Sequence, residues 1–234
     1  MRIARVTDDA TTDLLYRQVL LPSFPDEQLV TRESLLTDLH DGAGEVFVVR
    51  DEAGTLLGGA VGSWYEDGRV MLLSYLAVTE ASRGTGAGTL LLGNLVPEWA
   101  KRYDPCLILA EVERPDQHTG NSAHGDPEAR LRFYHRLGAR ALDLPYFQPA
   151  LDRQKARVPG MLLLLLHAAP EFAGERPESV TAGPLRDFLT EYLVEAEGEV
   201  AQQDPAIGAL WQGLERAGGV AVLPVDRYEQ IAAG

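Results

Sequence analysis

The run Arg83-Gly84-Thr85-Gly86-Ala87-Gly88 has the make-up of a backbone-lined anion site. Glycine lets a chain turn tightly and come close to a ligand. The run stands between a strand-like stretch, Val70–Val78, and an apolar helical stretch through Leu90, Leu91, Leu92, Leu95, Val96 and Trp99. A helix starting there presents unpaired N–H groups and a partial positive charge, which suits a pyrophosphate. Two common phosphate loops do not fit. A dinucleotide loop needs G-x-G-x-x-G and an acidic residue at a strand end about 20 residues on; here the spacing is G-x-G-x-G and no such acid follows. A P-loop needs Gly-Lys-Ser/Thr, and no lysine is near. Further on, Glu111 and Glu113 stand two apart at the end of the strand-like Cys106–Glu113. Period two puts both carboxylates on one face, with Ala110 and Val112 on the other.

The stretch Val78-Thr79-Glu80-Ala81-Ser82-Arg83-Gly84-Thr85-Gly86-Ala87-Gly88-Thr89-Leu90-Leu91 resembles motif A of the GNAT superfamily of N-acetyltransferases. In that family R/Q-x-x-G-x-G/A wraps the pyrophosphate of acetyl-CoA. The resemblance implies that the loop opened by Arg83 holds the phosphates through the backbone N–H groups of Gly84, Thr85, Gly86, Ala87 and Gly88, with Thr89. It also implies that the backbone of Leu76, Ala77 and Val78, at a splay in the sheet, pairs with the pantetheine arm. A second match, Ala129-Arg130-Leu131-Arg132-Phe133-Tyr134-His135-Arg136-Leu137-Gly138-Ala139, is similar to the family's motif B helix, with Ala139 where Phe is usual. An Asn often stands seven positions before the tyrosine; here that position is Pro127, which removes one polar contact to the cofactor.

The implied reaction is aminolysis of a thioester. It expels a thiolate, and a phenol held beside the sulfur is a suitable proton donor; by resemblance that donor is Tyr134, which also touches the cofactor. The attacking amine must be neutral, so a base is needed. Many family members keep an acidic residue on this strand or the one before it, which makes Glu111 the first candidate and Glu113 the second. Trp64, Tyr65 and Tyr75 are candidates for an acceptor pocket, Tyr146, Phe147 and Gln148 for one of its walls, and Asp116, His118 and His124 in the loop 114–126 for substrate contact. No His/Glu spacing on a regular element supports a metal, and Cys106, the only cysteine, reads as buried and inert.

The elements that position these residues follow from periodicity and turn chemistry. The strand Arg2–Val6 leads into a helix over 9–20, broken at Leu21-Pro22-Ser23-Phe24-Pro25 because each proline disfavours helix before it. A second helix runs from Thr31 to about His40, followed by the meander Val46–Arg50, Leu56–Tyr65 and Val70–Val78. Pro97 is expected to kink the next helix or end its regular part. A helix over 126–137 and strands at Ala139–Leu144 and Met161–His167 follow; Pro184–Val200 reads as an amphipathic helix, and a second helix runs from Pro205 to about Ala217. The expected fold is α+β: a GNAT-like twisted mixed β-sheet flanked by helices, with a C-terminal helical extension. The division is an acetyltransferase domain over 1–168 and a mainly helical acidic extension over 169–234.

The chain has 234 residues and a formal charge of −14, of which −8 falls in Pro170–Gly234. That balance argues against nucleic acid and against an anionic membrane surface, and the longest apolar run, Met161–Leu166, is far short of the ~20 residues of a membrane span. One cysteine and no apolar leader fit a cytoplasmic protein. The expected activity is transfer of an acetyl group from acetyl-CoA to a primary amine, small-molecule or peptide, by direct attack. The rival readings are a non-catalytic CoA-binding module and a regulatory protein acting through its tail, which could also dock a second copy as a homodimer.

Overall fold

A computed structural model describes residues 1–120, 124–198, 200 and 203–234. Positions 121–123 of the loop 114–126 and Glu199 of the stretch Pro184–Val200 lie outside the described residues. Strand β1 (Arg2–Val6) is followed by helix α1 (Asp9–Leu15), whose N-terminus is capped by the Asp8 carboxylate accepting from the Thr11 N–H. The helix does not break at Leu21. It passes through a π-helical turn, Tyr16–Leu20, into the short α2 (Leu21–Ser23), and only Phe24 is extended. Pro22 stands at the start of α2, just past the wide turn, where its missing N–H interrupts no regular ladder. Helix α3 (Arg32–Asp41) starts at Thr31, whose hydroxyl accepts from the Ser34 N–H, and stops at Gly42 with φ 78°.

The meander is β2 (Gly44–Arg50), β3 (Leu56–Tyr65) and β4 (Val70–Val78), leading to helix α4 (Ala87–Arg102) and strand β5 (Leu107–Glu113). Helix α4 runs unbroken through Pro97. A mid-helix proline costs about 3 kcal/mol, but Leu91, Leu92, Leu95 and Trp99 are all buried on one face, each contributing about 1.5–3 kcal/mol. Its far end is tied to β2: the buried Glu45 carboxylate accepts from Trp99 Nε1 and the Tyr103 hydroxyl, both at 2.8 Å, and pairs with Arg5 and Arg102. Next come α5 (Pro127–Arg136), β6 (Arg140–Leu142), β7 (Tyr146–Gln148) and β8 (Val158–Ala168). The remainder is β9 (Ser179–Val180), α6 (Ala182–Glu197), α7 (Pro205–Leu214) and β10 (Val220–Pro224).

The strands form one sheet in the order β1-β2-β3-β4-β5-β8-β6-β10-β9, with β7 also on β8. All pairs are antiparallel except β4–β5. That parallel pair is short: Val70–Leu73 lie beside Leu107–Ala110, and beyond Leu73 and Ala110 the two strands part. On its other edge β4 carries a bulge at Ser74, between the Val61–Tyr75 and Gly62–Leu73 pairs, and a bulge bends its strand. The splay between β4 and β5 is what opens a cleft in the sheet.

Helices α4 and α5 cover one face of the sheet, over Met71, Leu73, Ile108, Ala110 and Val112. On the other, α1 and α3 cover Val46, Val48 and Val61, while α6 and α7 cover Leu72, Leu107, Leu109 and Leu163. Residues 169–234 share the last of these cores. Leu185, Phe188, Leu189, Tyr192 and Leu193 of α6 are all buried there, and β10 pairs with β6 through Val222 and Leu142. Arg157, in the turn before β8, binds Glu197 and Asp204 and lies over the Phe147 ring.

Candidate active site

A cleft of about 560 Å³ fills the splay between β4 and β5. Of the expected cofactor residues, Leu76, Ala77, Val78, Arg83, Gly84, Gly86, Ala87, Gly88 and Thr89 line it, together with Tyr134, Glu111 and Glu113. Thr85 does not line it. Its N–H and hydroxyl both donate to the Ser82 carbonyl, so it closes the turn instead of facing the ligand space. Gly86 caps α4 with φ 87°, ψ 2°, a left-handed conformation that favours glycine, and no side chain caps the helix. The first turn of α4 is thereby left open toward the cleft, as an anion site requires. Along β4, Leu76–Val78 pair with β3 on one edge only, which leaves backbone groups on the other edge facing the splay.

Tyr134 comes from α5 on the α4 side of the sheet. It is buried; burial pushes its phenol up to about 12 while Arg130 pulls the other way, so it holds its proton at neutral pH. Among the described residues its hydroxyl has no hydrogen-bond partner. Phe133 packs against Tyr134 edge-on and, like it, lines the cleft. Pro127, at the first helical position, leaves capping to Asp126, whose side chain accepts from the Glu128 N–H.

Glu111 and Glu113 point to the other face, as their spacing requires, but they differ in kind. Burial pushes the Glu111 carboxyl up to about 7, although three groups donate to it: Tyr146 at 2.6 Å, Gln148 Nε2 at 3.3 Å and Tyr192 at 3.4 Å. Glu113 is also desolvated, yet Gln28 Nε2 (2.8 Å) and Arg130 Nη1 (2.8 Å) outweigh burial and hold its carboxyl below the usual range. Glu113 is an ionised clasp between β5, α5 and the 26–28 turn; Glu111 has the chemistry of a neutral-pH base.

The other candidates divide. Tyr65 and Tyr75 line a second cavity of about 110 Å³ that shares Ser74 and Glu111 with the main cleft. Trp64 points to the opposite face, where it stacks on Tyr103 and donates to Glu66, because adjacent strand residues alternate. Tyr146 and Gln148 both donate to the Glu111 carboxylate, and Gln148 lines the second cavity; Phe147 lies under Arg157 instead. Asp116 binds Arg114 and His118 Nε2 meets the Pro159 carbonyl at 2.9 Å, outside the cleft, whereas His124 lines it. Cys106 is buried and its thiol pushed up to about 11 by burial. Sequence reasoning missed Gln28, which reaches Glu113, and Asp38 and Glu195, which meet at the second cavity, because long-range packing alone places them there. Arg130 had a local signal, standing one helical turn before Tyr134.

The profile of the acetyltransferase (GNAT) family matches residues 12–139, more than half of the chain, and the chain belongs to that family. Solved structures give the same fold. A protein described as a GNAT-family acetyltransferase from Bacteroides thetaiotaomicron is 20% identical with TM-score 0.54, over 72% of this chain and 88% of its own. The ribosomal-protein-alanine N-acetyltransferase from Brucella melitensis is 20% identical with TM-score 0.51, over 72% and 100%. An aminoglycoside 6'-N-acetyltransferase complexed with coenzyme A is 17% identical with TM-score 0.51, over 73% and 99%. No curated protein sequence matches. Among the described residues no helix is long and apolar enough to cross a membrane, and no cluster of His, Cys, Asp and Glu is placed to hold a metal.

Proposed function

We propose that the protein transfers an acetyl group from acetyl-CoA to a primary amine by direct attack, with Glu111 as general base and Tyr134 as general acid. The observation that carries this is the placement of a desolvated carboxyl near neutrality and a protonated phenol on opposite faces of one splayed sheet, both lining one cleft. The open α4 N-terminus and the Gly84–Gly88 turn suit the pyrophosphate, and the free edge of Leu76–Val78 suits the amide-bearing arm, as an added strand would. The co-substrate supplies the activated thioester. Glu111 removes the ammonium proton that blocks attack, the new C–N bond forms as the C–S bond breaks, Tyr134 gives its proton to the departing sulfur, and the second proton lost by the acylated nitrogen restores the Tyr134 phenol by way of solvent. Tyr146 and Gln148 aim the Glu111 carboxylate, and Glu113 with Arg130 fixes α5 against β5 so that Tyr134 stays in place. The lone cysteine suits the cytoplasm as the compartment of the reaction.

The test is a thermal-shift titration with acetyl-CoA followed by a panel of amines in which free CoA release is read. The proposal expects a rise in Tm with acetyl-CoA and amine-dependent CoA release. No shift at millimolar acetyl-CoA contradicts it, and a shift without release from any amine favours a CoA-binding module.

A further inference from the structure

The second cavity, about 110 Å³ between α3, β3–β4 and α6, adjoins the main cleft and shares Glu111 and Ser74 with it. Three carboxylates line it, Asp38 from α3, Glu111 from β5 and Glu195 from α6, and no Lys, Arg or His does. None of the three takes part in an ion pair with a described residue. A separate feature of the same wall points to a ligand. Gln148 is 5% exposed, its Nε2 is spent on Glu111, and its Oε1 is buried with no hydrogen-bond donor. An unmatched buried acceptor is costly, and such groups in folded proteins mark a site or a missing partner.

The remaining lining is aromatic. Tyr65, Tyr75 and Tyr192 contribute ring surface, which attracts cations through the ring quadrupole. At about 110 Å³ the cavity has room for a slim aliphatic arm. Burial, and for Glu195 also the nearness of Asp38, pushes the Asp38 and Glu195 carboxyls up. A cation among them relieves both the desolvation and the mutual repulsion.

We infer that this cavity is the acceptor subsite and that its substrate is a compact aliphatic diamine, one amino group at Glu111 and Gln148, the second ammonium between Asp38 and Glu195. The inference rests on the acyl-transfer reading above and names its substrate class. It gives residues 169–234 a share in the site, since α6 supplies Tyr192 and Glu195.

The experiment uses the full chain with acetyl-CoA and four probes: diaminopropane, diaminobutane, butylamine and aminobutyrate. CoA release gives kcat/KM, and calorimetry without acetyl-CoA gives binding of diaminobutane. The expected result is a kcat/KM for a diamine at least tenfold above butylamine, with aminobutyrate below both. In the Asp38→Asn/Glu195→Gln double variant the diamine-to-monoamine ratio falls toward one and the calorimetric signal is lost, while Tm confirms that the variant folds. Equal kcat/KM for diamine and butylamine overturns the inference and leaves acyl transfer standing, as does an unchanged ratio in the double variant. Diaminobutane heat that the double variant abolishes, without CoA release from any amine, overturns the acyl-transfer reading and keeps the dication pocket. No heat from diaminobutane with the wild-type chain overturns the pocket.

Discussion

Glu111 and Glu113 have the same side chain on the same strand face, and their surroundings give them different chemistry. Glu113 receives Gln28 and Arg130 and stays ionised; Glu111 receives only neutral donors and sits near neutrality. A carboxyl whose folded value is raised stabilises the fold fully below its unfolded value, and that contribution is lost as pH rises through the folded value. For Glu111 the loss spans from the ordinary carboxyl range to about 7. Glu111→Gln, which removes the charge and keeps the shape, is therefore expected to raise Tm at pH 8 and to leave it nearly unchanged at pH 4.5, read by calorimetry at both pH values. Tyr134→Phe keeps the ring and deletes the proton. It is expected to lower kcat by about 10²–10⁴-fold with KM for acetyl-CoA within a few-fold of wild type, measured by CoA release. An unchanged kcat makes Tyr134 a packing residue only.

Helix α4 and strand β4 are the elements on which the cofactor side depends. Gly86 has φ 87° and no atom within 4 Å of where a Cβ would stand, so backbone conformation and the ligand space in front of it constrain the position, not crowding by the protein. Gly86→Glu adds strain and a negative charge where the pyrophosphate is expected, and should abolish the rise in Tm that acetyl-CoA gives the wild-type chain, with the unliganded Tm lowered by about 2–4 °C. Most of this element level was legible from the chain: the glycine spacing, the strand Val70–Val78 and the helix after it are local patterns. The places where the structure departs from expectation are those where tertiary packing overrides a local rule. Helix α4 survives Pro97 because its buried face outweighs one lost hydrogen bond, and the first helix survives Pro22 because a π turn precedes it.

At the scale of the molecule, the sequence made Glu111 a candidate but carried no sign of what surrounds it. Tyr146, Tyr192, Gln148 and Glu195 are 35 to 84 positions away and meet it only after β8 has turned back beside β5 and α6 has packed over the sheet. No local pattern encodes such a meeting. The apolar stripe of α6 did signal that it must bury against something; the structure buries it in the core that also holds Leu72 and Leu107. We propose that residues 1–168 and 169–234 unfold together. Phe188, fully buried between Tyr65 and Tyr192, tests this: Phe188→Ala is expected to cost about 3–5 kcal/mol within a single thermal transition followed by far-UV dichroism, and two separated transitions would show that the extension folds by itself.

The most direct test of the central claim is the pH dependence of kcat/KM for amine-driven CoA release by wild-type and Glu111→Gln enzymes. With Glu111 as base, the wild-type rate rises with pH through about 7, as the carboxyl loses its proton, and then levels. The variant should be about 10²–10⁴-fold slower and lack that limb. A Glu111→Gln enzyme that retains both the rate and the limb near 7 contradicts the account.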